Sequence, residues 1–222
     1  MNDELTFGRE EARQYEAWFE TPAGQRMDAQ EKALMAKLLA GFGEPGAMLE
    51  VGCGTGHFSR WFKRELGWRV HGVDISHPML AEALSRDATF DEVALADGEA
   101  LPFPDQAYDV VTVITALEFM PDPVRALREA IRVARRGIMV CALNRWNPLA
   151  AWRRLIGLFV ATPYNQARFL SEGELRRLLR AAAPSLSAYV EMRTAVWPGW
   201  LSRFEGSRGS LGAFLGMTVR FR

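Results

Sequence analysis

The sequence predicts an α/β fold in which a mostly parallel sheet is covered by helices on both faces. Three observations predict this class: short apolar segments alternate with segments of helical periodicity, a glycine-rich loop follows the first apolar segment, and acidic residues end the next ones. Strands that alternate with helices form parallel sheets of this kind. A doubly wound sheet commonly fills a chain of 222 residues as one domain.

Two helices are predicted before the first strand, over residues 9–20 and 27–40, because apolar side chains recur there at helical spacing. The apolar positions are Tyr15, Trp18 and Phe19 in the first helix and Leu34, Met35, Leu38 and Leu39 in the second. Residues 21–24, Thr-Pro-Ala-Gly, predict a turn between them, since proline and glycine interrupt helices.

Strands and helices then alternate along the chain. Strands are predicted at 48–51, 69–76, 91–99, 108–115 and 137–143, and helices at about 57–66, 78–86 and 123–134. Further along, helices are predicted at 148–160 and from Ser171, and strands at 186–196 and 211–221. Pro123 is acceptable because the first turn of a helix tolerates proline.

The glycine loop follows the first strand directly, with glycines at positions 52, 54 and 56. Glycine lets the backbone turn sharply and approach a ligand closely. A dinucleotide fingerprint would read G-x-G-x-x-G, whereas the third glycine here comes one residue early. Glu50 stands before the loop, which suits a cationic ligand better than a phosphate. An ordinary strand-to-helix turn is the structural alternative.

Acidic residues at the following strand ends extend this pattern. Asp74 comes 22 residues after Gly52, a spacing that places its carboxylate beside the glycine loop, where it can accept two hydrogen bonds from a ribose diol. Asp97 can accept a hydrogen bond from an adenine amine, and Gly98 lets the backbone approach the ring. The fourth strand brings Thr115 to the same rim. Each acid taken singly is better explained as a solvated strand end, and the functional interpretation depends on four strand ends carrying such groups together.

Taken together, these motifs resemble the class I S-adenosylmethionine-dependent methyltransferases. The closest resemblance is to the small-molecule type related to the quinone-biosynthesis C-methyltransferases, or methyltransferase type 11, and it covers roughly residues 45 to 145. It implies S-adenosylmethionine as the cofactor and direct methyl displacement, in which the protein mainly positions the reactants. It also implies a Rossmann-like, doubly wound sheet of seven strands, mostly parallel, with the last strand inserted antiparallel between its neighbours.

The resemblance implies cofactor contacts at the glycine loop, the strand ends and the first helix. These residues are Glu50, Gly52, Cys53, Gly54, Gly56, Asp74, Ile75, Met79, Asp97, Gly98, Glu99, Thr115 and Tyr15. In the family, the residue that matches Glu50 helps to hold the methionine ammonium of the cofactor, usually indirectly. N-terminal helices often form a lid there, so Tyr15 and Trp18 either close over the ligands or pack in the core.

The same resemblance implies one methyltransferase domain over residues 1–222. Residues 1–42 form a helical cap, 45–145 the cofactor-binding core, and 146–222 the acceptor-side helices with the last two strands. The tail aromatics line an acceptor pocket, lie against a membrane or bury a dimer face; of these, membrane contact is the least favoured. They are Trp146, Trp152, Phe159, Trp197, Trp200, Phe204 and Phe214.

Glu118 is the candidate catalytic residue. A general base is needed only where the proton of the acceptor must leave. Family members often carry a histidine pair where this chain has Glu118 and Phe119, so a histidine base is not expected at this rim. Glu118 serves as the base if an apolar pocket raises its pKa; otherwise it caps or solvates the start of the next helix. Tyr164 and Arg168 are acceptor-side candidates, and His57 is a first-turn helix residue with at most an accessory role.

Composition excludes several function classes. The chain has 27 basic and 27 acidic residues and no long run of one sign, so nucleic acid is not the expected acceptor. Cys53 and Cys141 carry no metal spacing and are expected to be small buried residues, and no metal is expected. The N-terminus lacks a basic-then-apolar signal pattern, which predicts a cytoplasmic protein. The resemblance implies a small-molecule acceptor, and the protein is expected to be a monomer or a homodimer.

Two other functions compete with methyl transfer. A nicotinamide-dependent oxidoreductase is disfavoured by the G-x-G-x-G spacing and by the Asp97-Gly98 pair, which a dinucleotide site does not require. A non-catalytic module that only binds S-adenosylmethionine is suggested solely by the missing histidine pair. Within the methyltransferase hypothesis, the sequence leaves oxygen, carbon, nitrogen and sulfur acceptors open.

Overall fold

The structure, a computed structural model, describes residues 7–87, 92–146, 167–196 and 212–222. The predicted helix at 148–160 lies outside these ranges. So do Tyr164 and five of the tail aromatics, namely Trp152, Phe159, Trp197, Trp200 and Phe204.

Two helices precede the sheet, α1 at Arg9–Glu20 and α2 at Pro22–Leu39. The predicted turn at 21–24 was wrong, because the second helix begins at residue 22. The side chain of Thr21 accepts a hydrogen bond from the backbone N–H of Gly24 at 3.0 Å, and Pro22 occupies the first helical position. The threonine cap and the proline therefore start a helix immediately after α1 ends.

The predicted alternation of strands and helices is present. The elements are β1 Ala47–Val51, α3 His57–Leu66, β2 Arg69–Asp74, α4 His77–Arg86, β3 Val93–Leu95, β4 Tyr108–Ile114, α5 Pro123–Val133, β5 Ala134–Leu143, α6 Glu172–Ala182, β6 Ala188–Ala195 and β7 Phe214–Phe221. β5 starts three residues before its predicted start at 137, because it follows α5 without an intervening loop.

The seven strands form one sheet in the order β3-β2-β1-β4-β5-β7-β6. β1 pairs in parallel with both β2 and β4, and β7 pairs antiparallel with both β5 and β6. The predicted mostly parallel sheet with an inserted antiparallel last strand is therefore confirmed. The strand order reverses between β1 and β4, and in open α/β sheets such a reversal leaves a crevice at the carboxyl ends of the strands.

The core has one layer on each face of the sheet. Leu49 and Val51 of β1 join the cluster that contains Leu127 of α5 and Leu175 of α6. Met48 points to the opposite face and joins the cluster that contains Leu38 of α2 and Phe62 of α3. Because successive strand residues face opposite sides, both faces of β1 are buried. The sheet thereby becomes a rigid platform for the loops at its carboxyl edge.

Candidate active site

A cavity of about 710 Å³ opens at the carboxyl ends of β1, β2 and β4, between the sheet edge and α1. It lies at the reversal of strand order. Its wall combines the glycine loop, the strand-end acids and aromatic residues of the first helix. The described residues that line it are Phe7, Glu11, Gln14, Tyr15, Trp18, Phe19, Met27, Glu31, Glu50, Gly52, Cys53, Gly54, His57, Phe58, Asp74, Ile75, Ser76, Met79, Ala96, Asp97, Gly98, Glu99, Ile114, Thr115, Ala116, Phe119, Met120, Pro121 and Leu143.

The glycine loop adopts a backbone that other residues rarely adopt. Gly52, Gly54 and Gly56 have φ angles of +73°, +53° and +75°, all in the left-handed region. A Cβ at position 52 would come within 2.3 Å of the Cβ of Ala116. The backbone N–H groups of Gly52 and Cys53 both donate to the carbonyl of Val73, at 2.8 and 3.0 Å, which fixes the loop against β2. Gly56 instead caps α3 and is not among the described lining residues.

Asp74 is fixed at the end of β2 by backbone donors. Its Oδ2 accepts from Gly54 N–H at 2.7 Å and its Oδ1 from Ser76 N–H at 2.8 Å. Burial raises the pKa of Asp74, and the hydrogen bonds from Ser76 and Gly54 oppose that rise. Each carboxylate oxygen keeps a further lone pair, so the group can accept hydrogen bonds from a diol in the cavity.

Glu50 is almost completely buried, with 2% of its surface exposed, and it lines the same cavity. Its Oε2 accepts a hydrogen bond from the hydroxyl of Ser59. Burial raises the pKa of Glu50 to about 8, the hydrogen bond from Ser59 lowers it, and the charge of Asp74 raises it. An ammonium group beside Glu50 would favour the ionised carboxylate, because opposite charges stabilise each other most where water is excluded.

A second set of residues lies at the end of β3. Asp97 accepts from the backbone N–H of Glu99 at 2.8 Å, and Glu99 accepts from Asp122 N–H at 2.7 Å, which connects this loop to the start of α5. At Gly98, a Cβ would lie 2.8 Å from Val51 Cγ1 and 3.0 Å from Met120 Cε. The loop therefore packs this closely only because position 98 has no side chain.

These residues fit the S-adenosylmethionine that the sequence resemblance implies. Asp74 matches a ribose diol, Asp97 an adenine amine, and Glu50 an ammonium group. Ile75, 44% exposed, and Met79 supply apolar surface on the cavity wall between these polar positions. These residues thus offer acceptors for the ribose, adenine-amine and ammonium groups of a sulfonium nucleoside, with apolar surface between them.

Thr115 directly follows β4 and has a strained backbone conformation. Its φ is +47°, although it is β-branched and not a glycine, and its backbone N–H donates to Cys141 O at 2.8 Å. Left-handed backbone at such a residue costs about 1–3 kcal/mol and is concentrated at functional sites. Thr115 lines the cavity, as the resemblance implied for its backbone.

The first helix covers the cavity. Tyr15 and Trp18, whose placement the sequence left open, both line it. The opposite side of α1 carries Glu16, only 5% exposed, which pairs with Arg60 of α3 at 3.0 Å and with Arg86 of α4 at 3.4 Å. This buried carboxylate anchors the helix, and spacing in the sequence gave no sign of it.

His57 is held in the cavity wall by contacts with two other helices, which its position in the first turn of α3 did not predict. Its Nε2 lies 2.8 Å from Oδ1 of Asp28 on α2, and Lys32 binds the other oxygen of Asp28 at 2.7 Å. The imidazole stacks on Phe19 with 3.7 Å between ring centroids and an interplanar angle of 9°. Sequence reasoning missed Asp28, because nothing in the spacing of 29 residues indicates that α2 and α3 meet there.

Glu118 does not occupy the predicted catalytic position. It is 3% exposed and is not one of the described residues that line the cavity. Its Oε1 accepts from the backbone N–H of Leu143 at 2.7 Å, whereas Oε2 is buried without a hydrogen-bond partner in the described part of the chain. Burial raises the pKa of Glu118 to about 7, as expected of an apolar environment. The carboxyl group thus fastens the end of β5 behind the cavity wall.

The alternative role of Glu118, capping the next helix, is not seen either. Asp122 caps α5 by accepting from Arg125 N–H at 3.0 Å. Of the other tail candidates in the described ranges, Phe214 is buried in the core and Arg168 is exposed, and neither lines the cavity. Trp146, 67% exposed, also lies outside the cavity wall.

Both cysteines are buried and free, as expected. Burial raises the pKa of the Cys53 and Cys141 thiols well above their usual range, so both remain protonated at neutral pH. In the ranges that the structure describes, no helix combines the length and the apolar character needed to cross a membrane.

Comparison with known proteins agrees with this geometry. Residues 49–141, which contain the glycine loop, Asp74, Asp97 and Thr115, match the family model described as a methyltransferase domain. The segment that forms most of the cavity is therefore similar to a methyltransferase domain. The matched segment ends in β5, so it includes the strand-order reversal and most of the cavity wall. The resemblance to S-adenosylmethionine-dependent methyltransferases that the sequence motifs suggested is confirmed.

Individual relatives extend this result beyond the methyltransferase domain. The chain is 34% identical over 200 residues to an uncharacterized protein of Mycobacterium tuberculosis, covering 88% of this chain and 65% of that protein. It is 34% identical over 116 residues to the demethylmenaquinone methyltransferase of Staphylococcus aureus, covering 50% and 48% of the two chains. The chain thus spans about two thirds or less of the length of these relatives.

A solved structure matches almost the whole chain. The crystal structure of a SAM-dependent methyltransferase from Thermotoga maritima, described as a possible histamine N-methyltransferase, aligns with a TM-score of 0.73 at 25% identity. The alignment covers 96% of this chain and 98% of that one. The predicted fold and the S-adenosylmethionine class of the domain are confirmed, and these relatives give no support to the oxidoreductase alternative.

Proposed function

We propose that this protein transfers a methyl group from S-adenosylmethionine to a small-molecule acceptor. The observation that supports this most directly is that one cavity of about 710 Å³ is lined both by the sulfonium-nucleoside residues and by the aromatic residues of α1. The same space can therefore hold donor and acceptor side by side. The demethylmenaquinone and histamine descriptions of the two relatives name small acceptors for those proteins.

When bound, S-adenosylmethionine supplies a methyl group on a positively charged sulfur, which a nucleophile displaces directly. The residues of this chain bind and orient. Asp74 receives the ribose hydroxyls, Asp97 the adenine amine and Glu50 the ammonium group. Placement of two reactants in contact supplies about 7–11 kcal/mol of the barrier in favourable cases. The α1 helix covers the cavity and thereby limits the access of water to the reacting groups.

The role of the remaining cofactor residues is part of the same proposal. Gly52, Cys53, Gly54, Ile75, Met79, Gly98, Glu99, Thr115 and Tyr15 line the cavity and are proposed to contact the cofactor. Gly56 acts through the turn that starts α3. We further propose that residues 1–222 form a single domain and that the protein is a cytoplasmic monomer or homodimer. Size-exclusion chromatography with light scattering tests the oligomeric state.

Isothermal titration of the full chain with S-adenosylhomocysteine and with NADH tests the cofactor. We expect S-adenosylhomocysteine alone to bind, and Asp74→Asn to weaken it at least tenfold, because a buried acceptor of two hydroxyl hydrogen bonds is changed. Asp105→Asn is the matched control, since Asp105 is 75% exposed and pairs with Arg132 away from the cavity. Binding of NADH without S-adenosylhomocysteine would refute the proposal.

Turnover separates an enzyme from a module that only binds the cofactor. The assay follows S-adenosylhomocysteine released from S-adenosylmethionine in the presence of phenols, quinone precursors, amines and thiols. Product that depends on both the acceptor and Asp74 is expected. Cofactor binding with no acceptor-dependent product from any class would favour the binding module.

A further inference from the structure

Acidic residues predominate among the charged residues that line the cavity, although the chain as a whole has no net charge. Six carboxyl residues line it: Glu11, Glu31, Glu50, Asp74, Asp97 and Glu99. Among the described lining residues, His57 is the sole one with a basic side chain. Such a wall favours a cationic acceptor over an anionic one, because like charges repel most strongly away from water.

The wall of the cavity also carries aromatic surface. Tyr15, Trp18 and Phe19 of α1 and Phe119 beyond β4 all line it. A protonated amine over such rings gains about 0.5–2 kcal/mol from the cation–π interaction, and a carboxylate gains nothing comparable. Acidic and aromatic residues therefore favour the same class of acceptor, an amine.

An amine needs a proton acceptor before it can react, because its ammonium form has no lone pair. The His57–Asp28 pair has the geometry for this task. With Nε2 at 2.8 Å from the Asp28 carboxylate, the neutral ring donates its Nε2–H there and leaves the lone pair on Nδ1. Within the described ranges, Nδ1 has no hydrogen-bond partner, and His57 lines the cavity.

The orientation of this ring is fixed from three directions. Phe19 stacks on it, Phe58 contacts it edge to face, and Asp28 holds Nε2. Asp28 is fixed in turn by Lys32. Burial raises the pKa of Asp28, but the hydrogen bonds from His57 and Lys32 outweigh it and leave that pKa below its usual value. Asp28 thus remains a carboxylate that can stabilise a charged imidazole.

We propose that His57, oriented by Asp28, takes a proton from an amine acceptor in this cavity. The inference rests on the proposed function. The N–H bond of the ammonium breaks, its proton moves to Nδ1, and its electron pair stays on the nitrogen as the nucleophilic lone pair. The imidazolium that forms faces Asp28. His57 is the catalytic residue, and Asp28 acts through it as a positioning residue.

Other charged groups surround the pair and bear on its pH dependence. They are Glu11 and Glu16 on α1, Glu31 and Lys32 on α2, Glu50 on β1 and Arg60 on α3. Lys32 and Arg60 are both paired with carboxylates, at 2.7 and 3.0 Å. Acidic residues therefore outnumber basic ones around the cavity, which favours the protonated ring during turnover.

NMR of the full chain with ¹⁵N-labelled histidine reads the ring directly, with the protein saturated with S-adenosylhomocysteine. The chain has three histidines, so His57→Asn assigns the His57 signals. Where the ring is neutral, we expect Nε2 protonated and Nδ1 unprotonated, and we expect Asp28→Asn to remove that preference. Protonation mainly on Nδ1, or an unchanged tautomer in Asp28→Asn, would overturn the proposal.

Kinetics tests the catalytic role, with tyramine, tryptamine and histamine as amine probes. We expect His57→Asn to lower kcat about a hundredfold or more, with binding of S-adenosylhomocysteine changed less than about threefold, and to remove the low-pH limb of the kcat profile. His77→Asn is the matched control, because His77 is also the first residue of a helix but is exposed. Retained kcat, or a tenfold loss of S-adenosylhomocysteine binding in His57→Asn, overturns the role.

A separate assay tests the class of the acceptor, with 4-hydroxyphenylacetate and indole-3-acetate in place of the amines. Methylation of an amine probe and of neither acid supports the proposal. Methylation of the acids alone, or failure of every amine probe to bind the S-adenosylhomocysteine complex, overturns it. Binding of S-adenosylhomocysteine is measured first. If the protein does not bind it, the proposed function is wrong. If the protein binds it but one of the contrary results above is obtained, only the role of His57 and the amine acceptor are wrong.

Discussion

Two buried carboxyl groups, Glu50 and Glu118, have raised pKa values for the same reason but face different surroundings. Glu50 lines the cavity and accepts from Ser59. Glu118 accepts from Leu143 N–H behind the cavity wall, with its second oxygen unsatisfied in the described structure. A raised pKa therefore does not by itself identify a base. The position of the oxygen atoms decides between a ligand contact and a structural bond.

For Glu118 we predict an effect on stability and little effect on turnover. Its pKa of about 7 in the folded protein exceeds the ordinary value of 4.5. The folded state thus binds more protons between these values, and stability falls as the pH rises through that window. Glu118→Gln removes this pH dependence. The free energy of unfolding of the variant, minus that of the unsubstituted protein, should therefore increase by up to about 3 kcal/mol between pH 4.5 and pH 8.

Urea unfolding of both proteins at several pH values measures this difference. Gln keeps an acceptor for Leu143 N–H, so the end of β5 should stay in place. Turnover is measured on the same preparation once an acceptor is known. A hundredfold loss of kcat in a folded Glu118→Gln protein would contradict the structural assignment and restore the catalytic role that the sequence suggested.

At the scale of elements, α1 is the part of the cavity wall that the sheet does not support directly. It is anchored by Glu16 to Arg60 of α3 and to Arg86 of α4. Ser76 at the start of α4 adds a hydrogen bond from its hydroxyl to Phe7 O at 2.7 Å. A few polar contacts therefore hold the aromatic residues of α1 over the cavity.

Loss of the Glu16 anchor should loosen α1 selectively. Glu16→Gln leaves Arg60, 13% exposed, without its charged partner, and breaking a buried pair costs on the order of 3 kcal/mol. We expect faster hydrogen exchange in α1, unchanged exchange in β1 and β4, and at least tenfold weaker binding of S-adenosylhomocysteine. Glu20→Gln, on the same helix but 73% exposed, should match the unsubstituted protein. Uniformly faster exchange in the sheet would show general destabilisation instead.

Local patterns and long-range pairs differ in how well the sequence predicts them. The glycine loop and Asp74 were identified because strand-end position and residue type carry the information locally. The turn at 21–24 was misread because a threonine cap followed by proline has the composition of a turn as well as of a helix start. The contacts of His57 with Asp28 and of Arg60 with Glu16 span 29 and 44 residues. No periodicity indicates which helix faces will meet.

At the scale of the whole molecule, neutral overall charge conceals an uneven distribution. The chain has equal numbers of basic and acidic residues, yet six carboxyl residues line one cavity. The sheet order places this cavity where strand order reverses, and the buried core on both faces keeps the strand ends in register. Fold and site are thus coupled, because the sheet holds the carboxyl groups at its strand ends close together.

At the scale of the whole molecule, we expect the binding of the cofactor to be accompanied by the release of a proton. Below pH 8, Glu50 is largely protonated in the free protein, since its pKa is about 8. An ammonium group favours the carboxylate, so binding releases up to one proton per chain, and affinity for S-adenosylhomocysteine rises from pH 6 to pH 8. The stabilisation that saturating ligand gives follows the same trend, because it grows with the logarithm of ligand concentration over Kd.

Calorimetric titration at pH 7 in phosphate and in Tris measures the released proton, because the two buffers differ in ionisation enthalpy. Thermal unfolding with ligand at pH 6 and pH 8 measures the linked stabilisation. In Glu50→Gln both the buffer dependence and the pH trend should disappear, with weaker binding at pH 8. Asp105→Asn should retain both, since this exposed group lies away from the cavity. Equal heats in the two buffers for the unsubstituted protein would mean that Glu50 keeps its proton when the cofactor binds.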